Sequence, residues 1–206
     1  MGMRLEVGVD LFLGRGHELH DSRVRDPAPP YRGEGRHALW HVSEDPGIAV
    51  FAPHRAETAV DEEPLVWAID TRHLPLYWFP RDCPRGTFWA GPETSDEDVE
   101  RFLGSREQRV HAIEPPWDER LRDATLYAYR LPEATFERYE PAGGYWVSRA
   151  TVEPLELVVL RNLPRRHRRA GIELRVVPRL LDLWDEVVAS TLEFSGMRLA
   201  NARTRD

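Results

Sequence analysis

Ala38-Leu39-Trp40-His41-Val42-Ser43 is the stretch at which an ordered fold begins, and its reading sets the rest. It forms a strand over Ala38–Val42 that ends in a polar turn, Ser43-Glu44-Asp45-Pro46-Gly47. Runs of the same kind recur downstream, short, rich in β-branched and aromatic residues, and bounded by turn formers. They cover Leu65–Ile69, Gly86–Ala90, Arg109–Ile113, Leu126–Leu131, Tyr145–Arg149, Leu155–Leu160 and Ile172–Val177. Helices are fewer. Ser95-Asp96-Glu97-Asp98 opens one as a capping box, and it runs through Val99 and Phe102 to a stop at Gly104. Pro116–Arg122 forms a second, with proline at its entry and Asp118 and Glu119 in its first turn. Asn162–Ala170, closed by Gly171, is a third. Leu180–Leu192 is the longest, with Leu181, Trp184, Val187, Val188 and Thr191 on one stripe. Strands dominate the middle and helices are scattered among them, so the fold class is α+β rather than a doubly wound βαβ chain.

Upstream of Ala38 the text changes. Met3–Leu13 holds one strand-like alternation (Leu5, Val7, Val9, Leu11). Residues 14–37 are rich in Gly, Pro, Arg and Asp, with Pro27, Pro29 and Pro30 clustered. The expected organisation is an extension or linker over 1–37 and a single α+β domain over 38–206.

Composition excludes several chemistries. The 206 residues carry 28 basic and 35 acidic side chains, and every basic one is arginine. Without lysine there is no Schiff base, no pyridoxal-phosphate lysine and no GK[ST] phosphate loop. Arginine instead offers a permanently charged planar fork for carboxylate or phosphate. The net charge of −7 argues against a general nucleic-acid binder. The lone Cys83 excludes an internal disulfide framework and any multi-cysteine zinc site. No apolar run approaches the roughly 18 residues of a membrane helix, and no signal peptide is visible, so a soluble, cytoplasmic protein is expected.

Three segments concentrate chemistry. His41 ends a strand before Ser43, Glu44 and Asp45, which suits either an acid/base or ligand-binding imidazole at a sheet edge or a satisfied turn-capping histidine. Arg81-Asp82-Cys83-Pro84-Arg85 sets two arginines on a proline-stiffened loop, suited to a diphosphate or carboxylate or equally to a structural salt bridge. Cys83 reads as a buried inert thiol rather than a nucleophile. Gly143-Gly144-Tyr145-Trp146-Val147-Ser148-Arg149 joins paired glycines to an aromatic strand. Alternation puts Tyr145, Val147 and Arg149 on one side, where they face either a cleft or the core. His17 and His20 have metal-ligand spacing without a third ligand, and no metal is expected. Arg165-Arg166-His167-Arg168-Arg169 is a basic helix face, solvated or docked on an acidic partner or phosphate.

The strings His41-Val-Ser-Glu-Asp-Pro-Gly-Ile48, Val66-Trp-Ala-Ile69, Pro80-Arg-Asp-Cys-Pro-Arg85, Thr125-Leu-Tyr127 and Gly144-Tyr-Trp-Val-Ser-Arg149 together resemble a bacterial family without an established activity, over about residues 39–202. That family usually begins close to the HVSE string, so residues 1–37 depart from it. Trp40-His41-Val42-Ser43, Val66-Trp67-Ala68 and Tyr145-Trp-Val-Ser148-Arg149 leading to Pro154-Leu155 more distantly resemble small bacterial ADP-ribosyltransferases of the rifampin-modifying type. That resemblance implies a split-sheet fold and NAD as cofactor. His41 would hold the adenosine ribose, Ser43 would sit beside it, and Trp67 would pack on nicotinamide. It departs where Val42 replaces a glycine and Trp67 a tyrosine. The acidic catalytic position is open between Glu153 and Glu156. The expected catalytic set is therefore His41, Tyr145 and Glu153. The cofactor set is His41, Ser43, Trp67, Arg81, Arg85 and Arg149. The expected activity is transfer to a small-molecule substrate, with no nucleic-acid or membrane partner. Alternatives are a small-metabolite tailoring enzyme without NAD and a non-catalytic binding module.

Overall fold

The computed structural model describes residues 12–13, 38–55, 63–140 and 144–204. Most of the expected Met3–Leu13 strand, the proline-rich 14–37 segment, the His17/His20 pair and Gly143 lie outside the described residues. The strands are β1 (Phe12–Leu13), β2 (Leu39–Ser43), β3 (Val66–Asp70), β4 (Arg85–Trp89), β5 (Arg109–Ile113), β6 (Leu126–Leu131), β7 (Glu137–Glu140), β8 (Tyr145–Ser148), β9 (Glu156–Leu160), β10 (Ile172–Val176) and β11 (Glu193–Met197). The helices are α1 (Asp96–Asp98), α2 (Pro115–Asp123), α3 (Leu163–Arg169) and α4 (Leu180–Ala189). The class is mixed α+β, as the strand and helix pattern implies. None of these helices is long and apolar enough to cross a membrane. The described residues divide between two compact units, each with its own sheet.

The first unit takes residues 38–55, 63–78, 126–140 and 144–160. Its sheet is antiparallel throughout, in the order β7-β8-β3-β2-β6-β9. Cross-strand partners share a face. Leu39 pairs with Leu131, His41 with Tyr129, and Ala68 with Trp146, which defines one face. Leu39, Val66, Ala68, Tyr129, Leu131 and Trp146 bury that face beneath Phe51, Phe136 and Val152. Trp40 pairs with Ile69 and Arg130, Ile69 with Tyr145, and Trp67 with Val147 on the other face. There the Arg130 guanidinium, 1% exposed, lies over the Trp40 ring at 5.1 Å and pairs with Glu133 at 3.4 Å.

The second unit takes residues 12–13, 79–125 and 161–204, and its sheet runs β1-β11-β4-β5-β10. The β5–β10 pair is parallel and the rest antiparallel. Gly86 of β4 and Gly196 of β11 are direct neighbours across the strands. A Cβ on Gly196 would stand 2.6 Å from Trp184 Cζ2, and one on Gly86 2.9 Å from Trp184 Cε3. The paired glycines thus make a flat seat for the α4 tryptophan, which packs with Phe88, Phe102, Val110, Leu180, Val187 and Phe194. β11 escapes a pattern reading because Ser195 and Gly196 carry little strand propensity. The charged Glu137-Arg138-Tyr139-Glu140 of β7 hides an edge strand in the same way.

The α1 start is as the sequence dictates. Ser95 Oγ accepts from Asp98 N at 3.2 Å, a π-turn over Val99–Leu103 follows, and Gly104 ends it at φ +83°. The last helix stops at Ala189, short of the expected Leu192. Thr191 turns away to donate both its N–H (2.7 Å) and its Oγ1 (2.5 Å) to Asp98. The α4 N-terminus has no cap of its own at Arg179. Buried Glu114 instead accepts from Leu180 N at 3.0 Å and from Arg203 N at 3.0 and 3.2 Å.

Candidate functional site

Strand alternation separates the residues that the sequence groups into one site. Trp67 and Tyr145 share a face of the first unit's sheet, and their ring centroids lie 6.4 Å apart in an edge-to-face arrangement. A register shift between Arg138 and Glu140 leaves Tyr139 as the extra residue of a bulge, and its ring meets Trp67 at 4.7 Å. Tyr77, at the end of the 3-10 turn Leu74–Tyr77, adds a fourth ring 6.4 Å from Tyr145. Tyr145 is buried, while Trp67, Tyr77 and Tyr139 are half-buried.

His41 is on the opposite face, because it sits one residue from Trp40 and opposite Tyr129. Its ring packs on Phe51 at 4.8 Å, and Nδ1 donates to the Trp67 carbonyl at 3.1 Å. It touches the backbone of Trp67, not the ring. Ser43 serves a turn: its Oγ accepts from Asp45 N at 3.1 Å, and Asp45 Oδ1 accepts from Gly47 N at 2.7 Å. The Tyr129 hydroxyl fastens this turn, donating to Asp45 O at 2.6 Å and accepting from Ile48 N at 3.1 Å. The polar string that suggested a catalytic edge is thus a hydrogen-bonded loop.

Arg149 is neutralised by Glu63 (2.5 and 2.9 Å) and Glu137 (3.3 Å), and the hydrogen bonds it donates to Glu63 chiefly raise its pKa. Glu153 is exposed. The arginines of the proline-stiffened loop belong to the second unit, where Arg81 is half-buried. Arg85 is 4% exposed, donating to Cys83 O at 3.0 Å and Met197 Sδ at 2.7 Å and lying over Phe79 at 5.1 Å. Burial pushes the Cys83 thiol up to about 12, so it stays protonated and inert.

One constellation has no counterpart in the sequence reading. Asp70-Thr71-Arg72-His73 leaves the end of β3, and Asp70 Oδ1 accepts from both His73 N (2.9 Å) and His73 Nδ1 (2.8 Å). Both side chains are buried. The bond places the imidazole proton on Nδ1 and fixes the ring's orientation. The turn before Tyr145 closes on this pair. Gly144 sits at φ +69°, Asp70 N donates to its carbonyl at 3.0 Å, and a Cβ there would stand 2.1 Å from His73 Nδ1. The Asp-x-x-His spacing was the available signal, and the connection to Tyr145 is a matter of tertiary structure.

The second unit holds two buried histidines, His111 and His167, with ring centroids 5.1 Å apart beside Phe79. His167 Nδ1 donates to Leu163 O at 2.8 Å. Burial lowers both, His167 to about 4, and nearby Arg85 adds to the effect. A surface groove of about 510 Å³ in the same unit is lined by Glu114, Pro115, Pro116, Trp117, Pro178, Asn201 and Arg203. Its one buried carboxylate, Glu114, is already occupied by the α4 N-terminus. Among the described residues no three His, Cys, Asp or Glu side chains converge as a metal-binding group.

A family model described as a family of unknown function, DUF6886, matches residues 40–202. No curated protein and no solved structure matches the chain.

Proposed function

The chain belongs to that family, and we propose that it binds a planar cationic heteroaromatic ring against Trp67. The nicotinamide ring of NAD is the first ligand to test, in a reaction like that of the small ADP-ribosyltransferases. One observation carries this reading. Four tryptophan rings have an arginine over their face: Trp40 with Arg130, Trp89 with Arg109, Trp117 with Arg120 and Trp146 with Arg138, at 4.7–5.3 Å. Trp67 is half-buried and packs edge-to-face with Tyr139 and Tyr145 instead, and among the described residues no arginine lies over its ring, which leaves it able to take a cation from outside.

Tyr145 and Tyr139 fix the Trp67 ring. Asp70 and His73 hold the turn from which Tyr145 projects. Breaking the nicotinamide–ribose bond develops positive charge on the sugar, which a nearby carboxylate stabilises. Glu137, which would have to exchange its 3.3 Å contact with Arg149 for the sugar, is the candidate, because Trp67, Val147 and Glu137 lie in one cross-strand row on the same face. Two strand spacings put it about 10 Å away along the sheet. His41 is left out of the nicotinamide side of such a site, since it lies across the sheet.

Titration of the full chain with NAD and with nicotinamide mononucleotide, read by calorimetry and tryptophan fluorescence, tests this. Loss of a desolvated cation–π contact of about 2 kcal/mol weakens binding about 30-fold in Trp67→Ala. Trp67→Phe retains part of it. A folded wild-type chain that binds neither ligand refutes the reading. Binding without release of nicotinamide makes the Trp67 site a recognition site rather than a catalytic one.

A further inference from the structure

Three exposed arginines in the second unit are matched by carboxylates: Arg101 pairs with Glu186 at 2.6 Å, Arg106 with Asp96 at 2.6 Å and Arg122 with Asp118 at 2.7 Å. Four arginines of the run through α3 have no such partners. Arg161, Arg165, Arg168 and Arg169 are exposed, and among the described residues none has a carboxylate within ion-pair distance. Arg165, Arg168 and Arg169 stand at i, i+3 and i+4, so their side chains rise from one helical face. The placement of Arg168 and Arg169 in the last turn suits the helix dipole, which leaves Arg161 and Arg165 unexplained.

An acidic surface that matches the α3 spacing is on the same unit. Within the acidic turn over 93–100, Asp96 is taken by Arg106, and Asp98 by Thr191 and Ser95. Glu93, Glu97 and Glu100 are exposed, and none has an ion-pair partner among the described residues. Glu97 and Glu100 stand at i and i+3 across α1 and the π-turn that continues it. Two unmatched charge sets of opposite sign therefore repeat at the same one-turn spacing.

We propose that the α3 arginine stripe docks on the 93–100 acidic turn of a second copy of this chain. The contact is heterologous, with different patches on the two partners, so each copy still offers one patch of each sign and further copies add head to tail. Arginine forks suit this, since each grips a carboxylate with two parallel N–H donors. A nucleic-acid strand is the less favoured occupant, because the chain's net charge of −7 opposes a polyphosphate while the acidic turn supplies carboxylates directly. Exposed pairs are weak and salt-screened, so the association is weak and electrostatic.

Sedimentation velocity on the full chain tests this across a concentration series. One arm uses about 0.01 M salt, where charges reach about 30 Å, and the other about 1 M, where they reach about 3 Å. The wild type is expected to gain mass with concentration at low salt and to remain a monomer at high salt. Arg165→Glu/Arg168→Glu and Glu97→Arg/Glu100→Arg each remain monomeric alone, while an equimolar mixture of the two associates again. Arg165→Gln/Arg168→Gln, which adds no new charge, also weakens the association. A wild type that stays monomeric at low salt overturns the proposal. So does association that survives both charge reversals, or a mixture that fails to restore it. Retention on a single-stranded RNA probe, with no self-association, assigns the stripe to a polyphosphate and equally overturns it.

Discussion

Gly196→Ala puts one methyl group where the Trp184 indole now lies. The new Cβ would stand 2.6 Å from Cζ2 and 2.9 Å from both Cη2 and Leu199 Cδ1. Carbon contacts are comfortable from about 3.5 Å, so the ring must move by about 1 Å. It has little room to do so, being 6% exposed and edge-on to Phe194 at 5.2 Å. Overpacking of this kind costs about 1–3 kcal/mol. Replacing a strand glycine recovers about 0.5–1 kcal/mol of backbone entropy, so the sterics win and the net loss is about 1–2 kcal/mol. Urea unfolding followed by far-ultraviolet circular dichroism reads this as a lower midpoint at unchanged slope. The decisive arm is Gly196→Ala combined with Trp184→Leu. Truncating the indole removes the obstacle, so the two changes should couple favourably by about 1 kcal/mol or more. Wild-type stability in Gly196→Ala, or strict additivity in the double variant, would refute the seat.

Glu114→Ala leaves the backbone N–H groups of Leu180 and Arg203 without their buried acceptor, which lowers unfolding free energy by about 3 kcal/mol; Glu114→Gln, which keeps an oxygen, loses less. Gly144→Ala and Gly104→Ala both place alanine at positive φ, a strain of about 1–2 kcal/mol, but only position 144 adds a clash with His73. Gly144→Ala should therefore be clearly the more destabilised in thermal melts, and equal losses would exclude the close approach. His111 and His167 are held neutral, with folded pKa values below the ordinary 6.5. Their contribution is complete above the unfolded value and drains away as pH falls from about 6.5 towards the folded value, about 4 for His167. The surroundings sharpen this loss, because Arg85 and Arg109 face the pair. Stability measured across that window should fall less steeply in His167→Gln.

The strands that a reader of the sequence finds are short, largely apolar runs set between turn formers: Arg109–Ile113 and Leu126–Leu131 hold residue for residue. The two that go unseen, β7 and β11, carry their information elsewhere, in the charges of an edge strand and in glycines that matter only because Trp184 rests on them. For the site, the alternation of Tyr145 and Val147 against Trp146 was legible, and so was a place for Trp67 near Tyr145. That His41 faces away was not, because the face of β2 relative to β3 depends on a pairing between segments some 30 residues apart. The Asp70–His73 pair lay in plain view but gained meaning only from Gly144. Glu114 illustrates the same limit, capping a helix that begins 66 residues later.

The order in which the second unit's strands occur along the chain bears on how the protein comes to be made. β4 and β5 are synthesised early, but their sheet neighbours β10 and β11 come after the whole of the 126–160 segment of the first unit. Thr87 waits 108 residues for the Ser195 carbonyl to which it donates. An emerging chain can therefore complete the described strands of the first sheet by residue 160, while β4 and β5 form only an open hairpin with Phe88 and Val110 uncovered. Such a hairpin has unpaired edges and an apolar face, the conditions under which nascent chains stick to one another. β10 covers the β5 edge, and the arrival of α4 and β11 covers the apolar face and the β4 edge. A stall or truncation after residue 176 should thus lower yield sharply, because it leaves the β4 edge and the apolar face uncovered.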